Sequence, residues 1–369
     1  MKKQNVDLSS AKSKEREDGG RVRGSKNNAA KKDSRETKDA SNIVSSKMEA
    51  ATAKEAVKEE KEIKKSEFSD KASEKSALVE DLIAPVEDLV EASELDREDV
   101  AALTTEKLKL VPSNYQHLGD RERQEDSFAF SDFADRDLVK QKGVLVVVAD
   151  GMGGLARGDR ASQLAVSVFL NEYSHLEGSD FGQFLNRTVF RANHAIFDLA
   201  LDRNGREIDL GTTLVAAVVH NGEMDWIAVG DSLIYLYRKG RLKQLNREHI
   251  YANQLKVEVE NGLISKKEAD KHPERGYLTS YLGLPGLKEV DSNPDPLALE
   301  AGDAVLLCTD GLTNTLSEDE MTAVLRRESG NLAEELVEKA LEKQKKHQDN
   351  ITALVLSCKP ADSLKGGGK

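Results

Sequence analysis

The sequence predicts an α+β fold: a four-layer α-β-β-α sandwich, with a central antiparallel β-sandwich flanked by helix pairs. Three observations carry that expectation. Short apolar runs are joined by tight turns at Asn221-Gly222 and Lys239-Gly240; hairpins make antiparallel pairs, whereas parallel strands need long crossovers. Two groups of amphipathic helical segments bracket those hairpins. Trp226, all seven Tyr and every Phe except Phe68 fall after residue 110, so a single core has to form there.

Residues 1–75 alternate Lys with Glu and hold one aromatic. Such a segment cannot bury enough area to offset its ordering entropy, so a disordered charged tail is expected. Residues 76–110 are expected to be a linker. There "VEDL" occurs at Val79–Leu82 and again at Val86–Leu89, and Leu78, Leu82, Val86 and Leu89 repeat at helical spacing until Pro85 interrupts. Short amphipathic helices or a docking segment both suit this pattern. The folded domain is placed at 111–360, followed by a flexible C-terminus at 361–369.

Within the domain, "SFAFSDF" and "GVLVVVAD" predict strands. Residues 159–176 predict a helix through Ala161, Leu164, Ala165, Val168 and Phe169. A second helix carries the stripe Phe181, Phe184, Leu185, Ala192, Ile196 and Leu199, capped by Ser179 or Asp180. "TTLVAAVV" and "MDWIAVG" form one predicted hairpin, "LIYLYR" and "RLKQL" another. Strand "DAVLLCTDG", a helix opened by Ser317 with Glu320 three residues on, a helix near 331–346 and strand "NITALVLSC" close the domain.

A net charge of −12 argues against a nucleic-acid footprint. No apolar run is long enough to span a membrane, and the start "MKKQNVDLSS" lacks the apolar stretch of a signal peptide. Cys308 and Cys358 sit in apolar strand-like runs, which suits buried thiols in a reducing cytoplasm. The seven His show no metal-ligand spacing.

The chemistry-bearing pattern is acidic. Asp150 ends an apolar strand in "VLVVVADGMGG", and Asp310 does the same in "VLLCTDGL". Asp231 follows "IAVG"; Glu125 and Asp126 precede one strand, Asp349 another. Each alone reads as a turn residue, because Asp-Gly commonly ends a strand. Together, at strand ends of one sandwich, they would repel, and would either shift their pKa values or need cations between them. Oxygen ligands without His or Cys select Mg2+ or Mn2+ over Zn2+.

"RERQED" (Arg121–Asp126), "DGMGG" (Asp150–Gly154), "GTT" (Gly211–Thr213), "GDS" (Gly230–Ser232), "TDGL" (Thr309–Leu312) and "DN" (Asp349–Asn350) stand in the order seen in metal-dependent protein Ser/Thr phosphatases of type 2C. "DGMGG" and "HPERGYLTSYLG" resemble the bacterial branch, and the likeness covers about residues 113–359. The resemblance implies a hydrolase of phosphoserine and phosphothreonine in proteins, cytoplasmic and monomeric, opposing a cognate Ser/Thr kinase, with two Mn2+ or Mg2+ ions and a weaker third. Asp150 would bridge two ions, joined on one by Glu125 and the Gly151 carbonyl; Asp310 and Asp349 would serve the other. Asp231, with Asp310, would hold the third ion. Asp126 would orient a metal-bound water, and Arg121 would bind the substrate phosphate. The stretch from His249 to Gly283, with two short predicted helices, is similar to the family's flap.

Several positions depart from the usual pattern of the family. Leu233 follows "GDS" where Arg is frequent, Gln124 precedes the Glu-Asp pair in place of Asn, and Met152 follows the Asp-Gly where some members have His. Glu248-His249 replaces Asp-His, and Asn314 stands where Asp is common. Two competing readings are a catalytically weak scaffold of the same fold and an interaction protein working through its tail.

Overall fold

The computed structural model describes residues 103–104, 108–132, 136–152, 158–200, 210–327 and 330–361. The expected tail, the "VEDL" segment and residues 362–369 lie outside the described residues.

Two antiparallel sheets form the centre. The first runs in the order β1 (Leu103–Thr104), β2 (Leu108–His117), β13 (Ile351–Pro360), β12 (Ala304–Cys308), β8 (Leu233–Arg238), β9 (Arg241–Gln244). The second runs β10 (Asp291–Ser292), β7 (Glu223–Val229), β6 (Leu214–His220), β4 (Val144–Met152), β3 (Asp126–Phe130). β11 (Leu297–Ala298) pairs with β7, and β5 (Gly211–Thr212) with β4. Helices α2 (Gly158–Ser174) and α3 (Phe181–Leu199) cover the second sheet; α7 (Glu318–Leu325) and α8 (Leu332–Leu341) cover the first. The predicted four layers are therefore present.

Strand alternation explains why the runs look uniformly apolar. Along β4, Val144, Val146 and Val148 face the space between the sheets, while Leu145, Val147 and Ala149 face Phe169 and Phe184 of the helix layer. Side chains alternate faces with period two, and both faces are covered here, so no polar position is left in the run. Burying each Val contributes about 1.5–3 kcal/mol. On the other sheet, Leu307 and Leu354 point between the sheets, and Leu306, Cys308 and Val355 point at Leu336 and Val337 of α8. Cys308 and Cys358 are both buried and free.

The turns form for the reasons the sequence suggested. Asn221 and Gly222 have φ of 50° and 79°, and Lys239 and Gly240 have 49° and 79°. Two consecutive positive φ values are the mirror-type turn that matches strand twist. Asp180 caps α3 by accepting from Gln183 N, and Ser317 and Glu320 make the reciprocal capping box of α7.

Some elements lie outside the sequence expectation. β2 begins at Leu108, inside the segment read as linker, and pairs with β13 along all of its length. Its residues from Val111 to His117 are only half-buried and include Pro112, so neither alternation nor composition marks a strand. α1 (Arg136–Lys142) is too short for a periodic signal. Between His249 and Gly283 stand α4 (Tyr251–Glu260) and α5 (Lys266–Asp270), matching the two short helices expected there. α6 (Asp310–Thr313) is a single turn that directly follows β12.

Candidate metal and phosphate site

Antiparallel pairing brings the acidic strand ends to one rim. The start of β3 meets the end of β4, so Asp126 pairs in register with Asp150. The end of β12 likewise meets the start of β13, with Cys308 opposite Ala353, which sets Asp310 and Asp349 at the same end of the other sheet. Asp231 stands two residues beyond Val229, the last residue of β7.

The carboxylates act on one another electrostatically. Burial pushes the Asp150 carboxyl well above the ordinary range, and Asp126, Asp310, Asp231 and Asp349 add to it in that order. Asp126 is pushed up to about 7 by burial, opposed by hydrogen bonds from Thr352 and Thr309. Asp231 also rises to about 7, through burial and then Asp310. Asp310 is raised by burial and then Asp349, and Glu125 by burial against the lowering effect of Arg121. Like charges held at one rim of low polarity disfavour ionisation.

Asp126 joins the two sheets. It is 5% exposed. Its Oδ2 accepts from Thr309 Oγ1 at 3.0 Å and Thr352 Oγ1 at 2.7 Å. Its Oδ1 is buried and, among the described residues, has no hydrogen-bond partner. An orphaned buried carboxylate oxygen costs free energy unless something polar meets it. Gln116 of β2 donates its amide both to the Asp126 carbonyl at 3.2 Å and to Thr352 Oγ1 at 2.9 Å.

The main chain around the carboxylates is pinned by other side chains. Asn350 accepts from Glu125 N at 2.8 Å and donates to Leu118 O and Arg123 O. Thr213 Oγ1 accepts from Asp150 N at 3.1 Å and lies 2.7 Å from Ser232 Oγ, linking the Asp150 and Asp231 segments. Buried Gln348 donates to Gly311 O and accepts from Thr315 Oγ1, while its own main chain exchanges hydrogen bonds with Asp120. A Cβ on Gly151 would stand 2.0 Å from Gly158 O and 2.6 Å from Glu125 O. Glycine alone lets those three backbones meet beside the carboxylates.

Arg121 Nη2 donates to Asp349 Oδ2 at 2.6 Å. Burial lowers the guanidinium pKa, but the Asp349 contact outweighs it and the net direction is up.

Hard divalent cations suit this donor set. It offers carboxylates without His or thiolate, a partnerless buried oxygen on Asp126, and mutual repulsion that a cation would relieve. Among the described residues, no three His, Cys, Asp or Glu side chains are drawn tight enough to be a ready-made cation shell. Arg121 engages one of these carboxylates, Asp349.

Of the residues that depart from the family pattern, Leu233, Gln124 and Asn314 have local explanations. Leu233 is 4% exposed and packs with Cys308 in the layer under α7 and α8. Gln124 accepts from Asp126 N at 3.1 Å, and Asn314 donates its amide to Asp310 Oδ2 at 2.9 Å. His249 Nδ1 accepts from Gly230 N at 3.1 Å, and burial lowers its pKa, so it fixes the chain beside Asp231 as a neutral ring. Thr309, Thr352, Gln116 and Gln348 carry no role in the sequence reading. Thr309 sits inside "TDGL" next to Asp310, and that adjacency was the only signal for it.

The profile of the protein phosphatase 2C family matches residues 114–344. The chain is similar to the serine/threonine phosphatase stp of Listeria innocua, 35% identical over 226 residues, which is 59% of this chain and 85% of that protein. Its structure is similar to that of the Streptococcus agalactiae serine/threonine phosphatase, with a TM-score of 0.58 and 26% identity, covering 67% of this chain and 99% of that one. A third likeness is to the catalytic domain of the serine/threonine protein phosphatase PstP in complex with 2 manganese ions, with a TM-score of 0.53 and 27% identity over 69% of this chain and 99% of that one.

Proposed function

Because the chain belongs to the protein phosphatase 2C family, we propose that it hydrolyses phosphoserine and phosphothreonine in proteins with the help of divalent cations. The observation that supports this most is the gathering of Asp126, Asp150, Asp231, Asp310 and Asp349 at one rim, with Arg121 among them.

The roles we propose are those that the family resemblance implies. Asp150, whose carboxyl is raised by all four other aspartates of the set, would serve both cations. Glu125 and the Gly151 carbonyl would join it on one cation; Asp310 and Asp349 would hold the other. Asp231, with Asp310, would hold a weaker third ion. A pair of divalent cations, when bound, lowers the pKa of a coordinated water and neutralises charge on the phosphate. Asp126 Oδ1, the partnerless oxygen, orients the attacking water and takes its proton, while Thr309 and Thr352 hold the other oxygen still. Arg121 offers a planar fork matched to phosphate oxygens. No protein nucleophile is required. Burial drives the Cys308 thiol far up, which suits a core residue.

Among the described residues no helix is long and apolar enough to cross a membrane. We place the protein in the cytoplasm as a monomer, opposing a Ser/Thr kinase, with the expected catalytic domain of residues 111–360 extended back to Leu108 at the start of β2, behind a charged tail. Mn2+ and Mg2+ both suit the carboxylate set.

The test is hydrolysis of p-nitrophenyl phosphate and of a phosphothreonine peptide across Mn2+ and Mg2+ concentrations, with Asp150→Asn as control. Turnover that needs the cation and vanishes in Asp150→Asn is the expected outcome. No cation-dependent turnover by the full chain would leave a scaffold as the better reading.

A further inference from the structure

We infer that Arg121 is also an internal counter-cation, competing with a divalent ion for Asp349 and so setting the ion affinity of the site. The inference rests on the proposed metal site. Both oxygens of Asp349 are engaged: Oδ1 accepts from Asn350 N at 2.9 Å, and Oδ2 accepts from Arg121 Nη2 at 2.6 Å. The first contact is to the next residue along the chain. The second places a full positive charge on the other oxygen.

The backbone under Arg121 cannot drift off. Asp120 N donates to Gln348 O at 2.8 Å, and Gln348 N donates to Asp120 Oδ2 at 3.1 Å. A Cβ on Gly119 would stand 2.2 Å from Asp349 O, so the two segments are in direct backbone contact there. The arginine is therefore rooted beside Asp349, and only its side chain can leave. With side-chain exposures of 52% and 39%, the pair is solvent-screened and easily broken. A divalent cation on Asp349 repels a guanidinium held on the same carboxylate. Ion binding has to displace the arginine, and the displaced fork is then available to a phosphate dianion. By linkage, whatever draws Arg121 off Asp349 tightens the ion.

The experiment is calorimetric titration of Mn2+ into the chelator-stripped full chain. It compares the wild type with Arg121→Ala, Arg121→Lys, Asp150→Asn, Asp349→Asn and the double variant Arg121→Ala/Asp349→Asn. An exposed pair of this kind corresponds to about a two- to fivefold change in affinity. Arg121→Ala is expected to bind Mn2+ tighter by about that factor, and Arg121→Lys to stay at the wild-type value because it keeps the charge. In the Asp349→Asn background, Arg121→Ala is expected to change nothing. Unchanged or weaker binding in Arg121→Ala, with Asp150→Asn abolishing it, overturns the inference and leaves the metal site standing. So does tightening that persists in the Asp349→Asn background, because the charge would then act through space. Wild-type Mn2+ binding in Asp150→Asn overturns the metal site and the inference together. Arg121 is exposed enough that circular dichroism should show each of its variants folded.

Discussion

Thr352, the second residue of β13, donates its hydroxyl to Asp126, the first residue of β3, at 2.7 Å. The contact crosses from one sheet to the other and holds a carboxylate whose second oxygen is partnerless among the described residues. Thr352→Val keeps the shape and removes the donor. The Thr352 hydroxyl lowers the Asp126 pKa, so its loss should move the acidic limb of the pH–kcat profile to higher pH. Turnover at pH 7 should fall about tenfold, and stability should drop by about 1–3 kcal/mol, because Gln116 loses its acceptor as well. A profile whose acidic limb does not move would separate Thr352 from the proton held on Asp126.

The acidic rim predicts a pH dependence of the ion-free protein. Burial pushes Asp126 and Asp231 up to about 7 in the folded chain, against about 3.9 when unfolded. Between those values the folded state binds more protons than the unfolded state, so stability falls as pH rises. The contribution is complete below about pH 4 and is lost by the time pH passes 7. In chelator, the melting temperature should therefore fall from pH 5 to pH 8. Mn2+ should restore it most at pH 8, since ion binding needs the deprotonated carboxylates. Scanning calorimetry with and without Mn2+ checks both halves, and a flat ion-free curve would contradict the burial of these groups.

Asp150→Asn and Asp231→Asn should part company. Asp150 feels all four other aspartates of the rim, whereas the shift of Asp231 is dominated by Asp310 among its neighbours. Asp150→Asn should lose both strongly bound ions and reduce turnover by at least about a thousandfold, roughly 4 kcal/mol of barrier. Asp231→Asn should keep two ions and slow turnover only at limiting cation. Calorimetric stoichiometry and initial rates across Mn2+ concentration decide this, and two ions retained in Asp150→Asn would remove its bridging role.

A chain beginning at residue 101 should fold and keep the activity of the full chain on p-nitrophenyl phosphate. It retains β1 and the whole β2–β13 pairing. One beginning at residue 119 lacks β2, strips a full-length neighbour from β13 and removes Gln116 from Asp126 and Thr352. That shorter chain should be insoluble or inactive. Full activity in the shorter chain would show that β2 is dispensable.

Part of this site was legible from local signals. Asp150 and Asp310 stand where apolar runs meet glycine, and a carboxylate at a strand end needs no distant information to be noticed. Ser317 with Glu320, and Asn221 with Gly222, identify themselves within four residues. Thr352 gave no such signal, because a threonine in a strand is an ordinary β-former. Its importance comes from a partner 226 positions away. β2 was invisible for a related reason: its outer residues are only half-buried, so alternation is lost, and its identity rests on β13.

The sequence by itself determined the layered antiparallel architecture, since turn chemistry and strand periodicity act over a few residues and both faces of central strands such as β4 and β12 had to be covered. It also determined which carboxylates stand at strand ends. Only the tertiary structure decided that those ends share one rim, that two threonines of one sheet hold an aspartate of the other, and that Arg121 rests on Asp349. The physical reason is that register and sheet closure are settled by pairings between distant segments, and side-chain contacts across the rim exist only once both sheets are in place.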